Sequence, residues 1–348
     1  MNNRFLVLSA AALALAGAPL GARVVDPRVV RDDAGHFELS WKDKAPVDVY
    51  RLTPGASAAS APQLVARGIE DGAVSLAASP HVRGWFALRD RRDGSRVTIA
   101  ERVLPLEQGS NFRDLGGDPA WGGRHVRWGL IYRSGATPLL NATDLDEIGA
   151  VGLREMVDLR SSEERVLAPS RIAGVPYGAV GYPMQALASG GHFDVEALYR
   201  AFPELLKPQL RMIFADLLRG DVPIVYNCSA GQDRTGFASA MILSALGVPM
   251  ADIYRDYELS TSYRHPEYEM PPIDAAQHPH DPVAQMFARA SQGPVRKPQP
   301  LLTADGKPFL AFSYAEIAAR WGSPANYLRE EIGVGPVQLA QLRRRYLQ

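Results

Sequence analysis

Cysteine is almost missing from this chain: of 348 residues, only Cys228 carries a thiol. No internal disulfide is therefore available. In an oxidising compartment a structural role for a free thiol would be a liability, so keeping it fits chemistry, with reversible oxidation as a side effect. An excess of either charge is missing too, since 38 basic and 38 acidic residues balance to a formal net charge of zero. The global field gives no argument for nucleic acid or an anionic membrane, and any attraction for phosphate has to be local. Long apolar runs are lacking apart from Phe5 to Leu15. That run follows Arg4 and leads into small residues through Gly21-Ala22, the order of a secretory signal, and is too short with its flanks for a membrane span. Residues 1–22 are thus expected to be a signal peptide cleaved after Ala22, leaving an exported protein, periplasmic or secreted. A membrane anchor or a disordered tail is the alternative. What is present in quantity is ordinary: 46% hydrophobic and 22% charged residues suit a soluble globular protein, and the length suggests two domains.

From residue 23 to 106 the chain reads as strands. His36 to Trp41 and Val47 to Leu52 alternate with period two. Gly84 to Arg89 and Ser95 to Ala100 form an expected hairpin through Arg92-Asp93-Gly94. Several short strands over this span predict a small β-sandwich. Trp41 and the Val-Asp-Val-Tyr-Arg strand loosely resemble fibronectin type III modules. No catalytic constellation is visible here, so the segment is expected to stabilise the protein or to dock a protein partner.

After Leu106 the pattern changes to strands alternating with helices. The spacing predicts a helix from about Thr143, with Thr143 and Asp146 as an imperfect capping box, then a strand over 155–160 and a helix start at Ser161 to Arg165. Lys207 to Leu218 has one apolar face and Gly220 as its cap. This order predicts an α/β fold, a mostly parallel sheet flanked by helices. Nine prolines between 266 and 308 exclude regular helix or central strand from most of a 266–310 insertion, which is either a lid or passive packing. His278-Pro279-His280-Asp281 superficially suggests metal ligands, but no complementary Cys or His spacing accompanies it. Ser313 with Glu316 reads as a capping box, and Arg343-Arg344-Arg345 as a solvated basic face.

The chain is organised around Val225-Tyr226-Asn227-Cys228-Ser229-Ala230-Gly231-Gln232-Asp233-Arg234-Thr235-Gly236. It reads as a buried strand, a glycine-bearing loop and a helix from about Thr235 to Leu246, capped by Gly247 with Pro249 beyond. Such a loop gathers unpaired N–H groups at a helix N-terminus, which suits an anion. The arginine fork is matched to phosphate oxygens, and the same field is expected to lower the Cys228 thiol pKa. Cys-x5-Arg-Thr-Gly, with Ala-Gly-x-Asp-Arg-Thr-Gly inside it, resembles the phosphate loop of the cysteine-dependent protein tyrosine phosphatases, in their atypical bacterial branch. Asn111-Phe112-Arg113-Asp114-Leu115-Gly116-Gly117, the run Trp128 to Gly135, and Asp158-Leu159-Arg160-Ser161 are similar to motifs of the same branch. The resemblance covers residues 107–348.

It implies hydrolysis of a phosphomonoester through a phosphocysteine, most readily of a phosphorylated protein, or of a small phosphomonoester. Cys228 would be the nucleophile, and Arg234 with the loop residues Ser229, Ala230, Gly231, Gln232 and Asp233 would hold the phosphate. Thr235 would bond the thiolate, and no metal or other cofactor is implied. Asp233 or Asp158 would be the general acid, with Asp233 preferred for its place inside the loop. Asp158 reads equally as a scaffold ion pair with Arg160, and Asn111, Arg113 and Asp114 as buttresses of a turn. Two departures stand out: Asn227 where the superfamily usually has histidine, and Gln232 where many relatives have lysine. The alternatives are a phosphoinositide or inositol-phosphate phosphatase, a non-catalytic phosphate-binding module and a sulfurtransferase.

Overall fold

Alternating burial organises several of the first seven strands, turning every second side chain inward. The seven are β1 (Arg28–Arg31), β2 (His36–Ser40), β3 (Val47–Arg51), β4 (Gln63–Ile69), β5 (Ala73–Ala77), β6 (Trp85–Asp90) and β7 (Arg96–Ala100). The computed structural model describes residues 24–42, 45–53, 61–184, 194–290, 294–295 and 297–348. The expected signal segment and the Gly190-Gly191 stretch lie outside the described residues. Strands β1-β2-β5 form one antiparallel sheet and β4-β3-β6-β7 another. In β2, Phe37 and Leu39 turn inward while His36, Glu38 and Ser40 face solvent. They meet Val47, Val49, Phe86, Leu88 and Ile99 of the other sheet in one core, with the Phe37 and Phe86 rings edge-on at 5.3 Å. Each such buried side chain is worth about 1.5–3 kcal/mol, enough to hold two small sheets face to face. The expected hairpin is β6–β7, and Gly94 takes the left-handed conformation its turn needs (φ 75°).

The rest of the chain builds a second sheet system. Its strands are β8 (Arg113–Asp114), the two-residue pair β9 (Pro119–Ala120) and β10 (Arg124–His125), then β11 (Ile131–Ser134), β12 (Glu155–Asp158), β13 (Tyr177–Ala179) and β14 (Ile224–Asn227). Five of them form a sheet of order β13-β12-β14-β11-β8. The sheet is mixed: β11 to β14 pair in parallel, and β8 is antiparallel at the edge. The helices are α1 (Ala142–Val151), α2 (Ser162–Leu167), α3 (Val195–Leu205), α4 (Lys207–Arg219), α5 (Asp233–Leu246), α6 (Met250–Glu258), α7 (Ser260–Tyr263), α8 (Pro282–Ala290), α9 (Leu310–Trp321), α10 (Pro324–Tyr327) and α11 (Pro336–Tyr346).

Strand β14 is central and fully buried, and its side chains divide between the faces. Ile224 and Tyr226 join the large core with α4 and α5, whereas Val225 packs with Ile148 of α1 and Met156 of β12. Helix α5 is buried along nearly its whole length. The loop between β14 and α5 therefore opens at the carboxyl end of the sheet, held from both sides.

Several local expectations shift. Helix α1 starts one residue early, because Asn141 and Asp144 form a full capping box in place of Thr143 and Asp146. Helix α5 starts at Asp233, two residues before Thr235. Ser313 lies inside α9 and donates to the Tyr199 carbonyl (2.6 Å), so it caps nothing. Arg343 and Arg345 are not simply solvated: Arg343 donates to the Ala245 carbonyl, and Arg345 to those of Leu217 and Leu218. Both thereby satisfy carbonyls left open at helix C-termini. In the proline-rich insertion, Asp281 caps α8 by accepting from the Val283 and Ala284 N–H groups. Helix α8 buries Val283, Ala284 and Ala288 and packs beside α2.

One arginine ties the two sheet systems together. Arg83 donates to the Glu101 carbonyl, the Tyr132 hydroxyl and Asp114 Oδ2, each at 2.7 Å. Asp114 also accepts the N–H groups of Gly116 (2.8 Å) and Gly129 (2.6 Å). The paired-glycine turn is thus built on the same carboxylate that receives the arginine.

Candidate active site

Between Asn227, which ends β14, and Asp233, which opens α5, the chain turns through Cys228, Ser229, Ala230, Gly231 and Gln232. The Cys228 thiol is buried, with 1% exposure, and free. The loop is shaped by what holds its carbonyls. Asn111 Nδ2 donates to those of Ala230 (3.1 Å) and Gly231 (2.8 Å), Arg133 Nη2 to that of Gly231 (2.8 Å), and the Ala136 N–H to that of Ser229 (2.8 Å). With the carbonyls drawn outward to the scaffold, the peptide N–H groups are left for the concave side. Among the described residues, those of Ser229, Ala230, Gly231 and Gln232 donate to no carbonyl or side chain. This is the anion nest expected of a strand–loop–helix junction. Gly231 is required by geometry: it sits at φ 63°, and a Cβ there would come within 2.5 Å of the Ser134–Gly135 peptide.

The scaffold beneath the loop is itself charged. Asp256 receives Arg113 Nε (3.3 Å) and Arg133 Nη1 (2.5 Å), and all three side chains are buried. Burial would raise the Asp256 carboxyl, but Arg113 and Arg133 hold it down at about 2. Arg113 also bonds Asn111 Oδ1, and Asn111 keeps the left-handed backbone (φ 57°) from which its amide reaches the loop. Asn111 and Arg113 therefore buttress the turn around the loop, and Asp114 the one at Gly116 and Gly129.

Arg234, in the first turn of α5, is clamped by Glu164 of α2. Nη1 donates to Oε2 (2.7 Å) and Nη2 to Oε1 (2.8 Å), while Nη1 also reaches the Tyr182 hydroxyl (2.8 Å). That geometry occupies one edge of the fork and leaves the Nε–Nη2 edge for two oxygens of a phosphate. Burial opposes charge on both partners, yet Arg234, Ser229 Oγ and the Ser161 N–H hold the Glu164 carboxyl at about 2. Burial likewise disfavours the guanidinium, but Glu164 and Tyr182 keep Arg234 firmly charged. Ser229 Oγ donates to Glu164 Oε1, so Ser229 faces the nest with its backbone and the clamp with its side chain.

The two candidate acids separate in space. Asp158 is fully buried and meets Arg160 through Nε (2.9 Å) and Nη2 (2.6 Å), the Arg160 N–H (3.0 Å) and the Tyr177 hydroxyl (2.7 Å). Its oxygens are spent on the scaffold. Asp233 is half-buried at the loop mouth, and its Oδ1 accepts from the Tyr199 hydroxyl and from Gln232 Nε2 (3.4 Å). Tyr199 in turn meets the Tyr257 hydroxyl (2.5 Å), and burial followed by the nearby Asp233 charge pushes the Tyr199 phenol well up. Asp233 Oδ2 has no bonding partner among the described residues.

Among the described residues Thr235 Oγ1 is buried without a partner, as is Asn227 Oδ1, while Asn227 Nδ2 reaches the Cys228 carbonyl at 3.3 Å. The amide at the usual histidine position thus steadies the loop backbone. Among the described residues no three His, Cys, Asp or Glu side chains converge as metal ligands.

Sequence reasoning missed Glu164, Tyr182 and Tyr199. Glu164 had a signal, the Ser161-x-x-Glu164 spacing, which does form a capping box. Its second partner, Arg234, is seventy positions away and has no local signature.

A family model described as "Tyrosine phosphatase family" matches residues 104–348. A "putative tyrosine-protein phosphatase" of Cupriavidus necator is 34% identical over 263 residues, covering 70% of this chain and 88% of that protein. A "tyrosine-protein phosphatase" of Nostoc commune is 27% identical over 136 residues, 36% of this chain and 46% of that one. The crystal structure of P. aeruginosa TpbA covers 49% of this chain and 91% of its own at 16% identity, with a TM-score of 0.24, too low to bear on the fold. On the family match and the Cupriavidus relative, the chain belongs to the tyrosine phosphatase family.

Proposed function

We propose that this chain hydrolyses phosphotyrosine, and related aryl phosphomonoesters, through a phosphocysteine. The observation that carries the reading is the free Nε–Nη2 edge of Arg234 beside the buried Cys228 thiol and four unengaged loop N–H groups. Cys228 Sγ, as thiolate, attacks phosphorus; the S–P bond forms as the P–O ester bond breaks. Arg234 and the loop amides hold the three remaining phosphoryl oxygens, whose charge they match throughout. Asp233 delivers its proton from Oδ2 to the leaving oxygen, then removes a proton from the water that breaks the S–P bond. Thr235 Oγ1 bonds the sulfur and eases its departure. Asp158 serves as a scaffold anion that orients Arg160, and Glu164 as the positioning residue for Arg234. The chain's two relatives named above both carry the name of tyrosine-protein phosphatase.

The test is Cys228→Ser. The variant is expected to lose phosphotyrosine turnover while still binding vanadate, because the nest and Arg234 remain. More than a tenth of the wild-type rate in Cys228→Ser would mean that no phosphocysteine forms.

A further inference from the structure

Two arginine–glutamate clamps face the loop, and the mechanism uses one. The second is Arg264 with Glu269, on the segment that follows α7. Arg264 Nε donates to Glu269 Oε1 and Nη2 to Oε2, both at 2.8 Å. Glu269 is itself buried and fixed by Ser110 Oγ (2.8 Å), as Glu164 is fixed by Ser229 Oγ. Ser110 Oγ is held in turn by the His265 N–H (2.9 Å). In this clamp the Nε–Nη2 edge is the one consumed, so Nη1 points away from the glutamate, toward Gln232 Oε1 at 3.4 Å. The Arg264 side chain is 26% exposed and half-buried Gln232 is part of the loop mouth, so Nη1 stands at the rim of the site.

We propose that Arg264 is a specificity-determining residue that reads a second anionic group next to the scissile phosphate, a carboxylate of the residue adjoining phosphotyrosine. The inference rests on the phosphatase reading above and adds its substrate class. A contact of 3.4 Å with a neutral amide is weak and easily exchanged for a carboxylate oxygen, which makes the stronger, charge-assisted bond. Glu269 cancels most of the long-range field of Arg264, so the effect is directional and short in reach. A preference for acid at one flanking position follows, rather than a general affinity for anions.

The experiment compares kcat/KM for phosphotyrosine peptides with Glu or Gln immediately before or after the phosphotyrosine. For wild type the Glu:Gln ratio is expected to be about tenfold at one of the two positions, the worth of one charge-assisted hydrogen bond. Arg264→Gln is expected to bring that ratio to about one, whatever happens to its absolute rate. Arg264→Lys, which keeps the charge but loses the fork, is expected to fall between. Ratios near one at both positions in wild type, or a ratio kept in both variants, overturn the inference. So does faster turnover by wild type of a soluble phosphoinositide bearing adjacent phosphates than of every peptide. Failure of wild type to turn over any of the peptides would instead overturn the phosphatase reading itself.

Discussion

Asp233 and Asp158 are both carboxylates next to an arginine, and burial separates their roles. Asp158 receives every donor it can hold, whereas Asp233 keeps Oδ2 open at the loop mouth. Asp233→Asn should therefore cost about 10²–10⁴-fold with phosphotyrosine and far less with an activated aryl phosphate, whose oxygen leaves without a proton. Asp158→Asn should lower both rates alike, by loosening Arg160. Steady-state kinetics on the two substrates decides, and a loss at Asp158 that shrinks with the better leaving group would exchange the assignments. Glu164 offers a pH test. Its folded pKa of about 2 lies below the ordinary 4.5, so its stabilisation is fully present above about 4.5 and is lost as pH falls through 2. The shift corresponds to about 3 kcal/mol. Glu164→Gln leaves Arg234 buried without its counter-ion and should destabilise by about 3–5 kcal/mol at neutral pH. In urea unfolding the gap to wild type should narrow between pH 5 and pH 2; a constant gap would contradict the ion-pair reading.

At the scale of elements, the site is one strand–loop–helix junction gripped by its neighbours. Strand β11 supplies Arg133 and the Ser134–Gly135 peptide against which Gly231 lies, and α2 supplies Glu164. Gly231→Ala would place a methyl group within 2.5 Å of that peptide, and backbone cannot swing aside as a flexible side chain can. The loop has to move, and a displacement of about 1 Å is enough to cost on the order of 10²-fold in kcat/KM. Turnover within threefold of wild type would show that the loop tolerates the shift. The junction itself was legible in the sequence, because an apolar strand, a glycine and a capped helix are adjacent residues. Helix α2 was legible only as a helix start. The Ser161-x-x-Glu164 spacing carries the signal of its cap, but Glu164 serves two elements at once, and only the tertiary bond to Arg234 reveals the second.

Across the whole molecule, the all-β part and the α/β part share a buried ion pair. Arg83, 7% exposed, enters from the first and ends on Asp114, fully buried in the second, together with Tyr132. Arg83→Met should destabilise by about 3–5 kcal/mol in denaturant unfolding, since Asp114 is left buried with only backbone donors. An unchanged unfolding midpoint would show that the two parts do not depend on this pair. Strands β2, β3, β6 and β7 could be read from the sequence, but nothing local to Arg83 marks it as the tie.

Local patterns determined a good part of this protein. Period-two alternation drew most of the first two sheets, and helix faces and glycine caps drew α4 and α5. The spacing from Cys228 to Arg234 marked the phosphate loop, because all of that information lies within one or two turns of chain. The tertiary structure decided what depends on burial and on partners far along the sequence. It made Asp158 a scaffold ion and left Asp233 open, gave Arg234 its clamp, turned the terminal arginines into helix caps and set β8 antiparallel. The physical reason is common to all of these: a charged side chain's role follows from the solvent it loses and the counter-charge it meets. Both are properties of packing, and neither is written in its immediate neighbours.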